Sequence, residues 1–203
     1  MAARSVRLAL IGALALASTP LAAQLGGVGS PSYRFLKAVR DAKGNDVTQM
    51  LKEPGSRLID TTDQDTGETA LHIVVRRGDA RWAGFLLSEG ANPNIRDRKG
   101  DTPLLAAVDG GWDGLIGVLT DAKANPNIAN GSGETPLIRA VQRRDLGMVR
   151  DLIAAGADPD QADIIAGKSA RAYAKEDPRA GPIAKLFAET PVKVKRSVSG
   201  PTL

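Results

Sequence analysis

The sequence predicts an all-α solenoid of about five helix-turn-helix repeats, joined by β-turn fingers. Three observations predict it. First, two separate motifs keep one period of 33 residues through three copies. Gly67-Glu68-Thr69-Ala70-Leu71-His72 returns as Gly100-Asp101-Thr102-Pro103-Leu104-Leu105 and as Gly133-Glu134-Thr135-Pro136-Leu137-Ile138. Ala91-Asn92-Pro93-Asn94 returns as Ala124-Asn125-Pro126-Asn127 and Ala157-Asp158-Pro159-Asp160. Self-similarity at this period marks a stacked-repeat architecture. Second, the segment between the motifs carries apolar residues at spacings of 3, 4 and 7, one face of a helix. Third, hydrophobic residues make up 42% of the 203-residue chain but aromatics only 3%. A core of Ala, Leu, Val and Ile suits closely packed helices better than a sandwich.

The elements follow in order within each copy. Thr69, Thr102 and Thr135 stand where a helix N-cap is needed, since a hydroxyl there accepts an orphan N–H. Pro103 and Pro136 come next, at the first helical position, where a missing N–H costs nothing; Ala70 replaces Pro in the first full copy. The small or medium Val74, Ala107 and Ala140 let helices approach closely. Gly78 and Gly111 end the first helix where a left-handed residue is wanted. Arg144 takes that place in the third copy and is expected to strain or lengthen the helix end. The second helix presents Trp82, Leu115 and Met148, then Ala83, Ile116 and Val149, then Leu86, Leu119 and Leu152. Gly90 and Gly156 close it, with Lys123 as the exception, and the Asn-Pro-Asn stretch leads into a turn.

This pattern resembles the ankyrin repeat, whose signature is G-x-T-P-L-H-x-A followed by a second helix ending in L-L-x-x-G-A-x-x-N. The full copies are 64–96, 97–129 and 130–162, with degenerate caps at 33–63 and 163–190. One such hairpin cannot bury its own apolar face, so stacking builds the core and the caps supply the polar ends. The resemblance implies a binding module rather than an enzyme. It implies contact through the fingers and the concave face of the first helices, and it implies a monomer. The matching positions are Arg76 and Arg77, Arg98, Lys99 and Asp101, Asp109, Gln142 and Arg143. Arg76, Arg77, Arg143 and Arg144 are expected to share one concave side, with Asp109 and Asp113 between, which fits an acidic protein partner or, equally, a solvated charged face. Ile164 and Ile165 replace the charge or glycine of earlier fingers. Packing against the C-terminal cap is the expectation, and an interface anchor the alternative. Trp112 stands where neighbouring copies have Asp79 and Asp145, and is a further candidate anchor.

The ends carry other information. Arg4 and Arg7, the apolar run Leu8–Ala17 and small residues to Ala23 have the layout of a secretory signal peptide, residues 1–23. The run is too short to span a bilayer, so no stable membrane insertion is expected after cleavage. Export follows as an expectation, periplasmic in a bacterium and otherwise secreted; a retained N-terminal anchor or a buried core helix is the alternative. Residues 24–32 read as a flexible linker and 191–203 as a disordered basic tail.

The net charge of +4 does not mark a nucleic-acid binder. Without Arg4, Arg7, Lys193, Lys195 and Arg196, 22 basic residues face 23 acidic ones, so the body lacks the basic excess such a surface needs. There is no cysteine, hence no disulfide, thiolate metal site or cysteine nucleophile. The only histidine, His72, makes a poor metal site alone; the resemblance assigns it turn hydrogen bonds. Gly167-Lys168-Ser169 mimics the end of a phosphate loop, but Ala162 stands where the motif requires its first glycine. Asp60, Asp63, Asp65, Asp97 and Asp163 lie near turns, which Asp nucleates through its own side chain, and no catalytic partner recurs beside them. Asn130-Gly131-Ser132 matches a glycosylation acceptor but sits in a finger, where Asn and Gly are expected anyway. No metal, cofactor or catalytic residue is therefore expected. The rival class is a binding or protective module for a small molecule or a cell-surface polymer; its mark would be a concave face rich in aromatics.

Overall fold

The computed structural model describes residues 29–190. The signal-peptide reading, most of the linker and the tail reading fall outside the described residues. Among the described residues, ten α-helices form five antiparallel pairs: α1 Pro31–Arg40 with α2 Gly44–Lys52, α3 Ala70–Arg76 with α4 Ala80–Ser88, α5 Pro103–Gly110 with α6 Asp113–Asp121, α7 Pro136–Gln142 with α8 Leu146–Ala154, and α9 Ala170–Glu176 with α10 Gly181–Glu189. The first helices form one row, in which α1, α3, α5, α7 and α9 pack in succession; α4, α6, α8 and α10 form a second. The domain starts slightly before Tyr33, because the Ser30 hydroxyl caps α1 and Pro31 begins it.

The caps stand where the sequence places them. Thr69, Thr102, Thr135 and Ser169 each accept the N–H of the residue three further on. The core runs unbroken along the stack. Leu71, Leu104 and Leu137 of the first row, and Leu86, Leu119 and Leu152 of the second, are buried to 1% exposure or less. Removing water from one such leucine is worth about 1.5–3 kcal/mol. Because a helix of seven to nine residues is marginal alone, this shared core is what holds each hairpin.

The helix ends fulfil the expectation of strain rather than of lengthening. Gly78 and Gly111 are left-handed at φ 74°, and Arg144 adopts the same region at φ 60°, as does Lys123 at 68°. Yet α7 is no longer than α3. The chain accepts the unfavourable backbone because the next helix must dock where the repeat dictates.

Between pairs, each finger is a narrow hairpin. The N–H of Asp63, Asp97, Asn130 and Asp163 bonds the carbonyl of Glu68, Asp101, Glu134 and Lys168 respectively, at 2.9–3.0 Å. Successive fingers join edge to edge: Arg98 N–H to Thr66 C=O at 3.0 Å, Gly131 to Lys99 at 2.9 Å, and Ile164 to Ser132 at 3.1 Å. This close approach explains the finger glycines. A Cβ on Gly100 would lie 2.6 Å from the Gly131 nitrogen, and one on Gly133 2.5 Å from that of Ile164. On the far side, Asn94 and Asn127 tie repeat to repeat. Asn94 accepts the Asn125 N–H at 2.7 Å and donates to the Lys123 carbonyl at 3.1 Å; Asn127 does the same toward Asp158 and Gly156.

Candidate partner-binding surface

The finger aspartates are structural. Asp97 Oδ1 accepts the amides of Lys99 and Asp101 at 2.9 Å, while Oδ2 accepts from Arg76 at 2.9 Å. Asp63 holds the amides of Asp65 and Thr66 and pairs with Arg40 at 2.6 Å, and this guanidinium bond leads in lowering its pKa to about 2. Asn130 does the same work without charge, holding the amides of Ser132 and Glu134. Asp163 holds those of Ala166 and Gly167 and accepts the Tyr173 hydroxyl at 2.6 Å. That hydroxyl bond is the main reason the Asp163 carboxyl is held below its ordinary range and Tyr173 is raised to about 12. Carboxylates so fully engaged by amides are poor acid–base catalysts.

His72 is buried within the first full repeat. Its Nε2 lies 3.1 Å from the Asp101 carbonyl, which can only accept, so Nε2 carries the proton. Nδ1 then accepts from the Thr69 hydroxyl at 2.9 Å and the Thr69 N–H at 3.2 Å. Burial pushes its pKa below 6.5. Both nitrogens are occupied, which leaves no lone pair for a metal.

The four arginines expected to face a partner are engaged within the chain. Arg76 binds Glu68 at 2.6 Å and Asp97 at 2.9 Å. Arg77 reaches back to the carbonyls of Val39 and Arg40 and pairs with Asp79 at 3.3 Å. Arg143, at the frame position of Arg77 two repeats on, donates to the Asp109 carbonyl at 3.0 Å. Arg144 pairs with Asp177 at 2.8 Å. The guanidiniums thus leave in different directions, toward the fingers, the preceding repeat and the C-terminal cap. They do not form one cluster.

The other expected positions divide in the same way. Arg98 donates to the Gln64 carbonyl, and Gln142 to Glu134 at 3.3 Å. Lys99 is an exposed finger residue. Asp101 is nearly buried, while Asp109 lies exposed at the end of α5. Trp112 is 39% exposed, and its indole covers Gly78 so closely that a Cβ there would meet it at 2.8 Å. Ile164 and Ile165 do not pack against the cap: they are 77% and 80% exposed. The amide bonds to Asp163 Oδ1 close the turn beyond them and leave both side chains at its tip. Arg139, which sequence reasoning missed, pairs with Glu134 at 2.9 Å and lies 3.9 Å from Asp109. Its trace in the sequence is faint, because the matching positions of the earlier copies are the uncharged Ile73 and Ala106.

A row of couples links finger to helix. The residue between Gly and the cap meets the residue eight positions on: Glu68 with Arg76 at 2.6 Å, Glu134 with Gln142 at 3.3 Å, and Lys168 with Glu176 at 2.5 Å. The arrangement offers recognition rather than reaction chemistry. Among the described residues, no three His, Cys, Asp or Glu side chains converge as metal ligands, and no helix is long and apolar enough to cross a membrane.

Known proteins show the same repeat. The family model described as "Ankyrin repeats (3 copies)" matches residues 35–111 and again 71–163. The chain is 43% identical over 68 residues to neurogenic locus notch homolog protein 1 of Xenopus laevis, covering 34% of this chain and 3% of that protein. It is 37% identical over 91 residues to the neurogenic locus Notch protein of Drosophila melanogaster, covering 44% of this chain and 3% of that one. It is 56% identical over 43 residues to human neurogenic locus notch homolog protein 4, covering 21% and 2%. The shared part is therefore a small fraction of each relative's length. With a helix-pair stack, capped first helices and stacked fingers that all keep one frame, and with a family match over more than half its length, the chain belongs to the ankyrin-repeat family.

Proposed function

We propose that the chain is an exported protein-interaction module that binds one partner through its fingers and the exposed face of its first helices. Ankyrin repeats generally mediate protein–protein contact, and this chain keeps their scaffold throughout. The observation that carries the reading is the fourth finger. Its tip holds Ile164 and Ile165 at 77% and 80% exposure, whereas the other large aliphatics among the described residues are buried or partly buried. Apolar side chains of this size gain most by desolvation against a partner. Lys99 is exposed on the second finger, and Trp112 stands at the other end of α5, in the turn into α6.

The engaged arginines change the choice of test. Reversing Arg77 or Arg143 would cut their bonds to the preceding repeat, so loss of binding would not separate contact from folding. Cross-linked affinity capture from the exported fraction of the source cell is better controlled by Ile164→Asp with Ile165→Asp. One protein enriched by the native chain and lost with this variant supports the reading. No specific capture by the native chain overturns it. N-terminal sequencing of the chain recovered from that fraction tests export separately: a start near residue 24 supports it, and an intact Met1 inside the cell refutes it.

A further inference from the structure

The couples between finger and first helix are complementary in three repeats. Glu68 meets Arg76, Glu134 meets Gln142 and Lys168 meets Glu176. The central repeat breaks the rule. Its equivalent positions hold Asp101 and Asp109, two carboxylates.

Each meets only a guanidinium at the outer limit of ion pairing, and that guanidinium is shared with a closer carboxylate. The Asp101 side chain is only 9% exposed, and its Oδ1 is buried without a hydrogen-bond partner. Its Oδ2 lies 4.0 Å from an Arg76 guanidinium already bound to Glu68 at 2.6 Å and Asp97 at 2.9 Å. Asp109 lies 3.9 Å from an Arg139 guanidinium already bound to Glu134 at 2.9 Å. The third nearby guanidinium, Arg143, spends a donor on the Asp109 carbonyl rather than its carboxylate. The Asp109 carboxyl is raised above its ordinary range, mainly by burial, and Asp101 adds to the rise. A buried carboxylate oxygen left unpaired is costly, and two carboxylates in one couple repel.

We propose that the Asp101–Asp109 couple is the receptor for a cationic side chain, arginine or lysine, on a basic segment of the protein partner. This rests on reading the chain as an interaction module, and it reverses the acidic partner expected from the arginines. The partner's cation takes the place that Arg76 holds in the first repeat. The Asp109 side chain is half-buried but still 34% exposed, which admits it. A turn of the Asp101 carboxylate about its soft terminal torsion offers the unpaired oxygen. Arginine fits better, because its planar fork can bridge two carboxylates.

The test titrates the full chain with an arginine-rich peptide and with its uncharged citrulline counterpart, following the Asp and Glu side-chain carboxyl signals by NMR. The arginine peptide should shift Asp101 and Asp109 before other carboxylates, and the citrulline peptide should not. Asp109→Arg should recreate the couple of the first repeat: the melting temperature rises, and peptide affinity falls by about ten-fold or more. Asp151→Arg makes the same charge change on α8 and should leave affinity within about two-fold. Equal loss in both variants, or shifts spread evenly over surface carboxylates, would reduce the effect to net charge and overturn the site. A fall in melting temperature for Asp109→Arg would overturn the like-charge reading. The capture experiment separates the two levels. A specific partner held by Asp109→Arg as firmly as by the native chain refutes this site and leaves the module reading intact. No specific partner for any bait removes both.

Discussion

His72 donates its Nε2–H to the main-chain carbonyl of Asp101, 3.1 Å away, across the junction between the first two full repeats. The same ring accepts from Thr69, the cap of its own helix. One side chain therefore fixes a helix start and a repeat interface together. His72→Leu leaves the Asp101 carbonyl and the Thr69 N–H without these partners in a buried place. Unfolding by urea should show a loss of about 1–3 kcal/mol for each stranded group. A loss below about 0.5 kcal/mol would mean that other donors replace the ring.

The same histidine sets a pH dependence. Its folded pKa lies below 6.5, chiefly because burial disfavours the imidazolium. A depressed folded pKa means that the unfolded chain binds the proton first as pH falls. The stability His72 provides is thus full above 6.5 and declines as pH drops from there toward the folded value. Asp63 and Asp177, each held at about 2, act only below 3.8. Asp109 has the opposite sign: its raised pKa withdraws stability as pH rises from 3.8 through the folded value. Urea midpoints between about pH 7 and pH 5 should fall for the native chain, and the difference from His72→Leu should shrink across that window. Parallel profiles for the two proteins would refute the assignment.

The layout of the fold was legible because each repeat states the same local rules three times. Thr69, Thr102 and Thr135 cap helices by a bond within three residues, and Gly100 and Gly133 sit where a left-handed turn meets the next finger. Such roles depend on neighbours in sequence, so sequence shows them. The surface was less legible. The frame gives the position of Arg76, Arg77, Arg143 and Arg144 but not their direction. Each long side chain went to an acceptor 8 to 38 residues away. Ile164 was misjudged for a similar reason. Whether a finger residue turns inward depends on how Asp163 closes the turn, and that carboxylate is shared with Tyr173 from α9.

Asn127 offers a test of the ladder behind the fingers. It accepts the Asp158 N–H at 2.7 Å and donates to the Gly156 carbonyl at 3.1 Å. Asn127→Asp keeps the acceptor, removes the donor and places charge against a carbonyl oxygen. The expected cost is about 1–3 kcal/mol. Asn127→Ala should cost a similar amount, and a double variant with Leu152→Ala should be less than additive, because both loosen one junction. Full additivity would show that the asparagine acts only within its own turn.

Lys123 and Arg144 separate backbone strain from side-chain contact. Both are left-handed, at φ 68° and 60°, where glycine is relaxed. The Lys123 side chain is exposed and makes no hydrogen bond or ion pair among the described residues, so Lys123→Gly should raise stability by about 0.5–1 kcal/mol. Arg144→Gly relieves the same strain but loses the 2.8 Å bond to Asp177, and should change stability by less than about 0.5 kcal/mol. Equal gains in thermal melts would show that the Arg144–Asp177 pair contributes nothing.

Ile164 and Ile165 distinguish a surface held for contact from one held for folding. At 77% and 80% exposure they make little use of the core, although the backbone N–H of Ile164 still closes the finger ladder onto Ser132. Replacing both by serine keeps that N–H and removes only apolar side chains. Stability should stay within about 0.5 kcal/mol, as for surface substitutions elsewhere. Capture of the partner should fall by about ten-fold or more, since truncating a central apolar anchor costs at least about 1–2 kcal/mol. A drop of several degrees in melting temperature would return these residues to a packing role. Unchanged stability with unchanged capture would move the contact to the first-helix face, where Asp109 and Trp112 stand.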